Sequence, residues 1–126
     1  MEKILTINVK TEAPTFIKGS TKNILSIPFT AEAVGPAFFG ETVGVGVDTQ
    51  KIKDGKAFLS ARYILRGKDC NGTDSTLFIE NNGESLENCR PMIVTDSEAL
   101  AYLEKADLKA VVTPSDVGVT VSIYVL

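Results

Sequence analysis

Residues 56–83, KAFLSARYILRGKDCNGTDSTLFIENNG, decide the fold, because they read as two strands folded about a single turn. Ala57, Leu59, Ala61, Tyr63 and Leu65 alternate with Phe58, Ser60, Arg62, Ile64 and Arg66. That is the period-two pattern of a strand with one apolar and one mixed face. Asn71-Gly72 supplies residues that reach positive φ at low cost, as a type I′ hairpin turn requires, and Leu77 and Ile79 resume the alternation beyond it. Asp54-Gly55 before and Asn82-Gly83 after carry the same turn chemistry, so the hairpin is expected to pair on both sides and extend into a meander.

Working upstream, Leu5, Ile7 and Val9 mark a first strand over residues 2–10, stopped by Ala13-Pro14, and residues 15–18 read as a short edge piece. Residues 23–30 carry Leu25, Ile27 and Phe29 on one face, and Pro28 among them demands an edge or a bulge, since proline donates nothing to a ladder. After Gly35-Pro36, Phe39, Glu41, Val43, Val45 and Val47 alternate with Phe38, Gly40, Thr42, Gly44, Gly46 and Asp48. Three glycines on one face predict a strongly bent strand.

Downstream, Pro91 makes residues 86–94 an irregular or edge segment. Thr95-Asp96-Ser97-Glu98 has capping-box spacing ahead of Leu100 and Leu103, which predicts one short helix near residues 96–105. Residues 108–113 and 118–126 are two β-rich strands about Pro114-Ser115-Asp116. The count is roughly eight antiparallel strands and one helix, an all-β sandwich or closed barrel. It forms a single domain over 1–126, long enough to bury a core without staples.

Hydrophobic residues make up 44% and charged residues 23%, as in ordinary globular proteins, which excludes disordered and fibrous classes. Thirteen cationic and sixteen acidic residues leave −3, and neither sign forms a block, so neither nucleic acid nor an anionic membrane is an expected partner. The opening Met1-Glu2-Lys3-Ile4-Leu5 lacks signal-peptide design, and no apolar run approaches the roughly 18 residues of a membrane span, so the cytoplasm is the expected location. Cys70 at a hairpin tip and Cys89 beyond the returning strand are separated by a strand of about eight residues, roughly 26 Å, which argues against a disulfide.

The chain has no histidine, the usual general base and metal ligand, and its two distant cysteines do not replace one, so no metal site and no cofactor are expected. Gly44-Val45-Gly46-Val47-Asp48-Thr49 lacks the third glycine and following helix of a dinucleotide site. What remains is a set of polar residues on mixed strand faces: Asp48, Ser60, Arg62, Asn81 and Tyr124. In one reading these faces are solvated, and Val43, Val45, Val47, Leu59, Ala61, Tyr63, Leu77 and Ile79 fill the interior. In the other the mixed face lies inside, where Gly44, Gly46 and Ser60 leave room for a small, partly apolar ligand oriented by Arg62 and Asp48. This second reading requires Arg62 and Asp48 on one side of the wall, with Arg62 at least partly buried beside a carboxylate, because a buried unpaired charge costs several kcal/mol. Two other function classes stay open. One is an acid-base lyase or isomerase in which Asp48 abstracts a proton and Arg62 stabilises an enolate-like charge. The other is a structural homodimer formed through the outer β surface, motivated by Phe38-Phe39 and the β-rich last strand.

The order of several short motifs resembles a known family. These are Ile27-Pro28, the segment AVGPAFFG over 33–40, Gly46-Val47-Asp48, Ala61-Arg62-Tyr63-Ile64-Leu65, Asn81 followed by Gly83, Ala101-Tyr102-Leu103, and the closing stretch 118–125. Together they resemble the bacterial and fungal proteins called domain of unknown function 3237, or uncharacterised protein family 0311. The resemblance implies a calycin-like antiparallel barrel. Ser60 stands where an aspartate is common in that family, and Glu80-Asn81-Asn82-Gly83 replaces a more basic Arg-Asn-Arg-Gly type of sequence, so the charge set is thinned here.

Overall fold

The computed structural model describes residues 1–126. Alternation becomes strand almost everywhere, in the order β1 (Glu2–Thr11), β2 (Thr15–Lys18), β3 (Asn23–Val34), β4 (Phe38–Thr42) and β5 (Gly46–Lys53). There follow β6 (Lys56–Asp69), β7 (Asp74–Gly83), β8 (Cys89–Thr95), β9 (Leu108–Pro114) and β10 (Gly118–Val125). All pairings are antiparallel, and β1 joins both β10 and β3, so the sheet closes into an eight-stave barrel. The staves are β1, β10, β9, β8, β7, β6, the β4–β5 pair and β3. β4 and β5 share one stave because both lie between β3 and β6.

The β6–β7 hairpin holds the expected register, with Ala61 opposite Asn81 and Leu65 opposite Leu77. Its turn differs in type. Asn71 keeps a negative φ and only Gly72 is positive, at 75°. The loop is clamped instead by Asp69, whose Oδ1 accepts the backbone N–H of Asn71 and Thr73 at 2.9 and 3.0 Å. The two adjacent positive φ values of a type I′ turn fall on Asp54 and Gly55, at 54° and 77°, where Lys53 and Lys56 face each other. Asn82-Gly83 is not a turn: both residues remain in β7, and the chain reverses over 84–88.

The bent strand expected after Gly35-Pro36 is broken, with β4 and β5 separated at residues 43–45, where Gly44 has φ of 64°. Its faces also settle against the bulky reading. Val43, Val45 and Val47 are exposed, while Phe38 and Gly46 are buried. A Cβ on Gly46 would sit 2.6 Å from the Phe29 ring and 2.7 Å from Tyr63 Cβ, so these two side chains, their rings packed edge to face at 5.3 Å, take the interior volume and leave room only for glycine. Pro28 keeps β3 continuous. Its carbonyl accepts Glu12 N–H, so its missing N–H points to the gap where β1 ends and β2 begins.

The expected helix contracts to a single 3-10 turn, Ala101–Glu104. Leu100 and Leu103, each 1% exposed, are three residues apart and stack on one side in 3-10 geometry, which lets both enter the barrel end. The hydroxyl that accepts from this turn is Ser97, bonded by Leu100 N–H at 3.2 Å; Thr95 instead accepts from Ser97 N–H. β8 meets β9 only at Cys89 and Ala110, so Pro91 lies beside a nearly free edge.

The two ends of the barrel differ. One is filled by Phe38, Leu65, Leu77, Leu100 and Leu103. At the other, β2 and the adjoining ends of β3, β5 and β6 run past the closure as a four-stranded flap, since β6 finds β7 only from Leu59 onward. No helix is long and apolar enough to cross a membrane.

Candidate functional site

At the open end the barrel interior holds a cavity of about 150 Å³. Its wall is apolar, with Ile27, Phe29, Leu59, Tyr63, Val119 and Val121, and its mouth is bordered by Thr11, Gln50 and Leu86. The 84–88 loop holds Leu86 there through a 2.8 Å bond from Val112 N–H to the Leu86 carbonyl.

Two polar side chains interrupt this wall. Asp48 on β5 and Asn81 on β7 are both register partners of Ala61 on β6, so all three share the inner face. Two strand spacings set the backbones of Asp48 and Asn81 about 10 Å apart, with only the Ala61 methyl between them. Asp48 Oδ2 accepts one hydrogen bond, from Gln50 Nε2 at 3.0 Å. Asp48 Oδ1 and Asn81 Oδ1 are buried and have no hydrogen-bond partner. Burial raises the Asp48 carboxyl above the ordinary aspartate value of 3.8, and the Gln50 bond only partly offsets it. Burial likewise raises the Tyr63 hydroxyl. Cys89 lines the same cavity with its Sγ 3.2 Å from the Ser85 carbonyl, and burial together with the charges of Asp48 and Glu87 raises its thiol, so it is not a ready thiolate. Both cysteines are free.

Of the residues singled out from sequence, the structure brings Asp48 and Asn81 together and separates the other three. Asp48 faces Ala61, whereas Arg62 faces Val47 on the outside, so Asp48 and Arg62 stand on opposite sides of the wall. A ligand clamp made of that pair is ruled out. The carboxylate expected near Arg62 is present, Glu80 at 2.9 Å, but the Arg62 side chain is 66% exposed, and the pair is a surface ion pair. Ser60 sits between Thr49 and Asn82 on the outer face, and Tyr124 stands on the outer face of β10 between Lys3 and Lys109, at the far end. Each strand's polar face was legible, but the pairing offset puts the polar phase of β5 inside and that of β6 outside. Gln50, Tyr63 and Cys89 were not singled out. Asn81 shares the phase of Leu77 and Ile79, and a polar residue in an apolar phase was the available signal.

Comparison with known proteins adds the lineage. Residues 1–125 match the family described as "Protein of unknown function (DUF3237)". The chain belongs to the DUF3237 family. No curated protein matches its sequence significantly. Among solved structures, a similar fold is seen in a protein of unknown function from Clostridium acetobutylicum ATCC 824, 21% identical, with TM-score 0.82, covering 98% of this chain and 96% of that one. A β-barrel-like protein from Acinetobacter baumannii AYE is 15% identical with TM-score 0.79 and coverage of 98% and 93%. A protein described as an enzyme from Penicillium herquei is 14% identical with TM-score 0.75 and coverage of 98% and 92%. At these identities the likeness establishes the fold alone, a closed antiparallel β-barrel.

Proposed function

We propose that this barrel binds a small, largely apolar molecule carrying a hydrogen-bond donor, held at the open end between Asp48 and Asn81. The observation that carries this reading is the pair of buried acceptor oxygens without partners in an otherwise apolar cavity. Leaving a buried acceptor unsatisfied costs about 1–3 kcal/mol, and a ligand O–H or N–H removes that cost. A cavity of about 150 Å³ takes one six-membered ring, so a larger ligand extends through the mouth beside Leu86. The test is ligand-observed NMR with phenol and benzene, alike in shape and differing in one donor. Phenol is expected to bind more tightly, Ala61→Phe to abolish both by filling the cavity, and Asp48→Leu to reduce the preference for phenol to what Asn81 alone supplies. Equal binding of the two probes, or none of either, contradicts the reading.

The raised Asp48 carboxyl favours a second reading, an acid-base lyase or isomerase step in the same cavity. The Penicillium herquei protein of the same fold is described as an enzyme. Here Asp48 moves the proton, and the Asn81 amide, not Arg62, lies within the cavity to meet developing charge. Under this reading Asp48→Asn abolishes turnover of a substrate while leaving its binding within a few-fold; retained turnover excludes it.

A further inference from the structure

The outer face of the open-end flap is built differently from the rest of the surface. One row crosses all four strands, Ile17 opposite Ile24, Ile24 opposite Lys51, and Lys51 opposite Phe58. Ile17 is 55% and Phe58 41% exposed. Around this row, Lys22, Lys51, Lys53 and Lys56 line a single shallow hollow together with Glu84, and Asp54 occupies the turn between Lys53 and Lys56. None of these lysines is in an ion pair; the three salt bridges of the chain are Arg62–Glu80, Lys68–Asp74 and Arg90–Asp107. Lys53 and Lys56 sit directly opposite one another across the hairpin, where like charges destabilise a sheet. A chain of net charge −3 therefore gathers four unpaired cations around exposed Ile17 and Phe58 at one extremity. The sequence disperses these lysines over residues 22–56, and the hairpins bring them together.

We propose that this flap docks on an anionic lipid surface, independently of what the cavity binds. The lysines complement anionic headgroups, and Ile17 and Phe58 enter the headgroup boundary, the combination by which a polybasic patch and a few apolar side chains hold a protein at an interface. A soluble anion would satisfy the lysines but leave Ile17 and Phe58 in water, so the apolar row favours the membrane.

The test is partition of the full chain onto phosphatidylcholine vesicles with and without phosphatidylserine. Binding is expected only with phosphatidylserine and is lost as salt shortens the reach of the field. Each lysine changed to glutamine among Lys22, Lys51, Lys53 and Lys56 should weaken partition about fivefold, equivalent to about 1 kcal/mol per lysine near an anionic surface. Phe58→Ser should weaken it several-fold while keeping the salt dependence. Circular dichroism of each variant checks that the barrel is intact, and the comparison of wild type on the two vesicle types needs no variant. Absence of binding at low salt overturns the proposal, as does equal binding to uncharged vesicles. Release by inorganic phosphate at an ionic strength where chloride does not release would assign the hollow to a soluble anion and overturn it too. Tighter retention on single-stranded DNA than on the vesicles would do the same.

Discussion

The two ends of the barrel each carry an inward carboxylate, and Asp69 and Asp48 differ in how fully their hydrogen bonds are met. At the closed end Asp69 accepts from Ser97 Oγ at 2.7 Å, from Ser75 Oγ at 3.3 Å and from two backbone N–H groups. These bonds, the Ser97 hydroxyl foremost, hold its carboxyl below the ordinary value in spite of its cover. A charged group with every lone pair engaged ties the β6–β7 turn to the segment before the 3-10 turn, and the leucines beneath it leave no space. At the open end Asp48 lines a cavity with one donor, Gln50, and its other oxygen is buried without a partner. A buried polar group without a partner is uncommon in a folded protein, and the difference between a completed and an incomplete hydrogen-bond shell is the observation on which the binding site proposed at the open end rests.

The largest expected effects separate the packing at the two ends. Leu77→Ala, in the filled end, should cost about 2–5 kcal/mol, whereas Val119→Ala beside the existing cavity should cost about 1 kcal/mol or less. Chemical denaturation measures both, and equal losses would erase the distinction. The carboxylates should then respond with opposite signs. Asp69→Asn lowers the denaturation midpoint by breaking the Ser97 and Ser75 bonds. Asp48→Leu raises stability by about 1 kcal/mol, because it removes an orphaned buried acceptor. A destabilised Asp48→Leu protein would mean that the Gln50 bond outweighs the cost of the orphaned oxygen.

The pH dependence sharpens the same contrast. Asp69 titrates below 3.8 in the fold, so its stabilisation is fully present above that unfolded value and is lost as pH falls through the lower folded value. Asp48 titrates above 3.8, so its protonated form stabilises the fold below that value and the contribution is lost as pH rises through the higher folded one. Stability curves of Asp69→Asn and Asp48→Asn should therefore flatten on opposite sides of pH 3.8. The smallest effect belongs to the outer wall. Arg62→Ala should change stability by no more than about 0.5 kcal/mol, and a double-mutant cycle with Glu80 should give a coupling of about 0.5 kcal/mol or less. A coupling of several kcal/mol would place Arg62 in a buried network after all.

The barrel and its central hairpin were legible because residues 57–65 and 77–79 alternate cleanly between strong turn signals. Alternation defines two faces but not which one is interior. For β4 and β5 the valines looked like core, and the decision came from Phe29 and Tyr63, rings on other strands whose packing over Gly46 no local pattern reveals. The same offset explains why Asp48 was singled out with the wrong partner. It shares an inner row with Ala61 and Asn81, and the register that puts it there also turns Arg62 outward. The turn at Asn71-Gly72 was found but mistyped, because the Asp69 side chain does there what two positive φ values do at Asp54-Gly55. The capping box failed for a tertiary reason: the segment must drive Leu100 and Leu103 into the barrel end, and a single 3-10 turn does so.

A high-resolution crystal structure of the protein soaked with phenol tests the central claim most directly. The ring is expected within the open-end cavity, against Tyr63 and Val121, with its hydroxyl at hydrogen-bond distance from Asp48 Oδ1 or the Asn81 side-chain amide. Phenol bound only elsewhere, or a cavity closed by its own side chains with Asp48 turned to solvent, would contradict it.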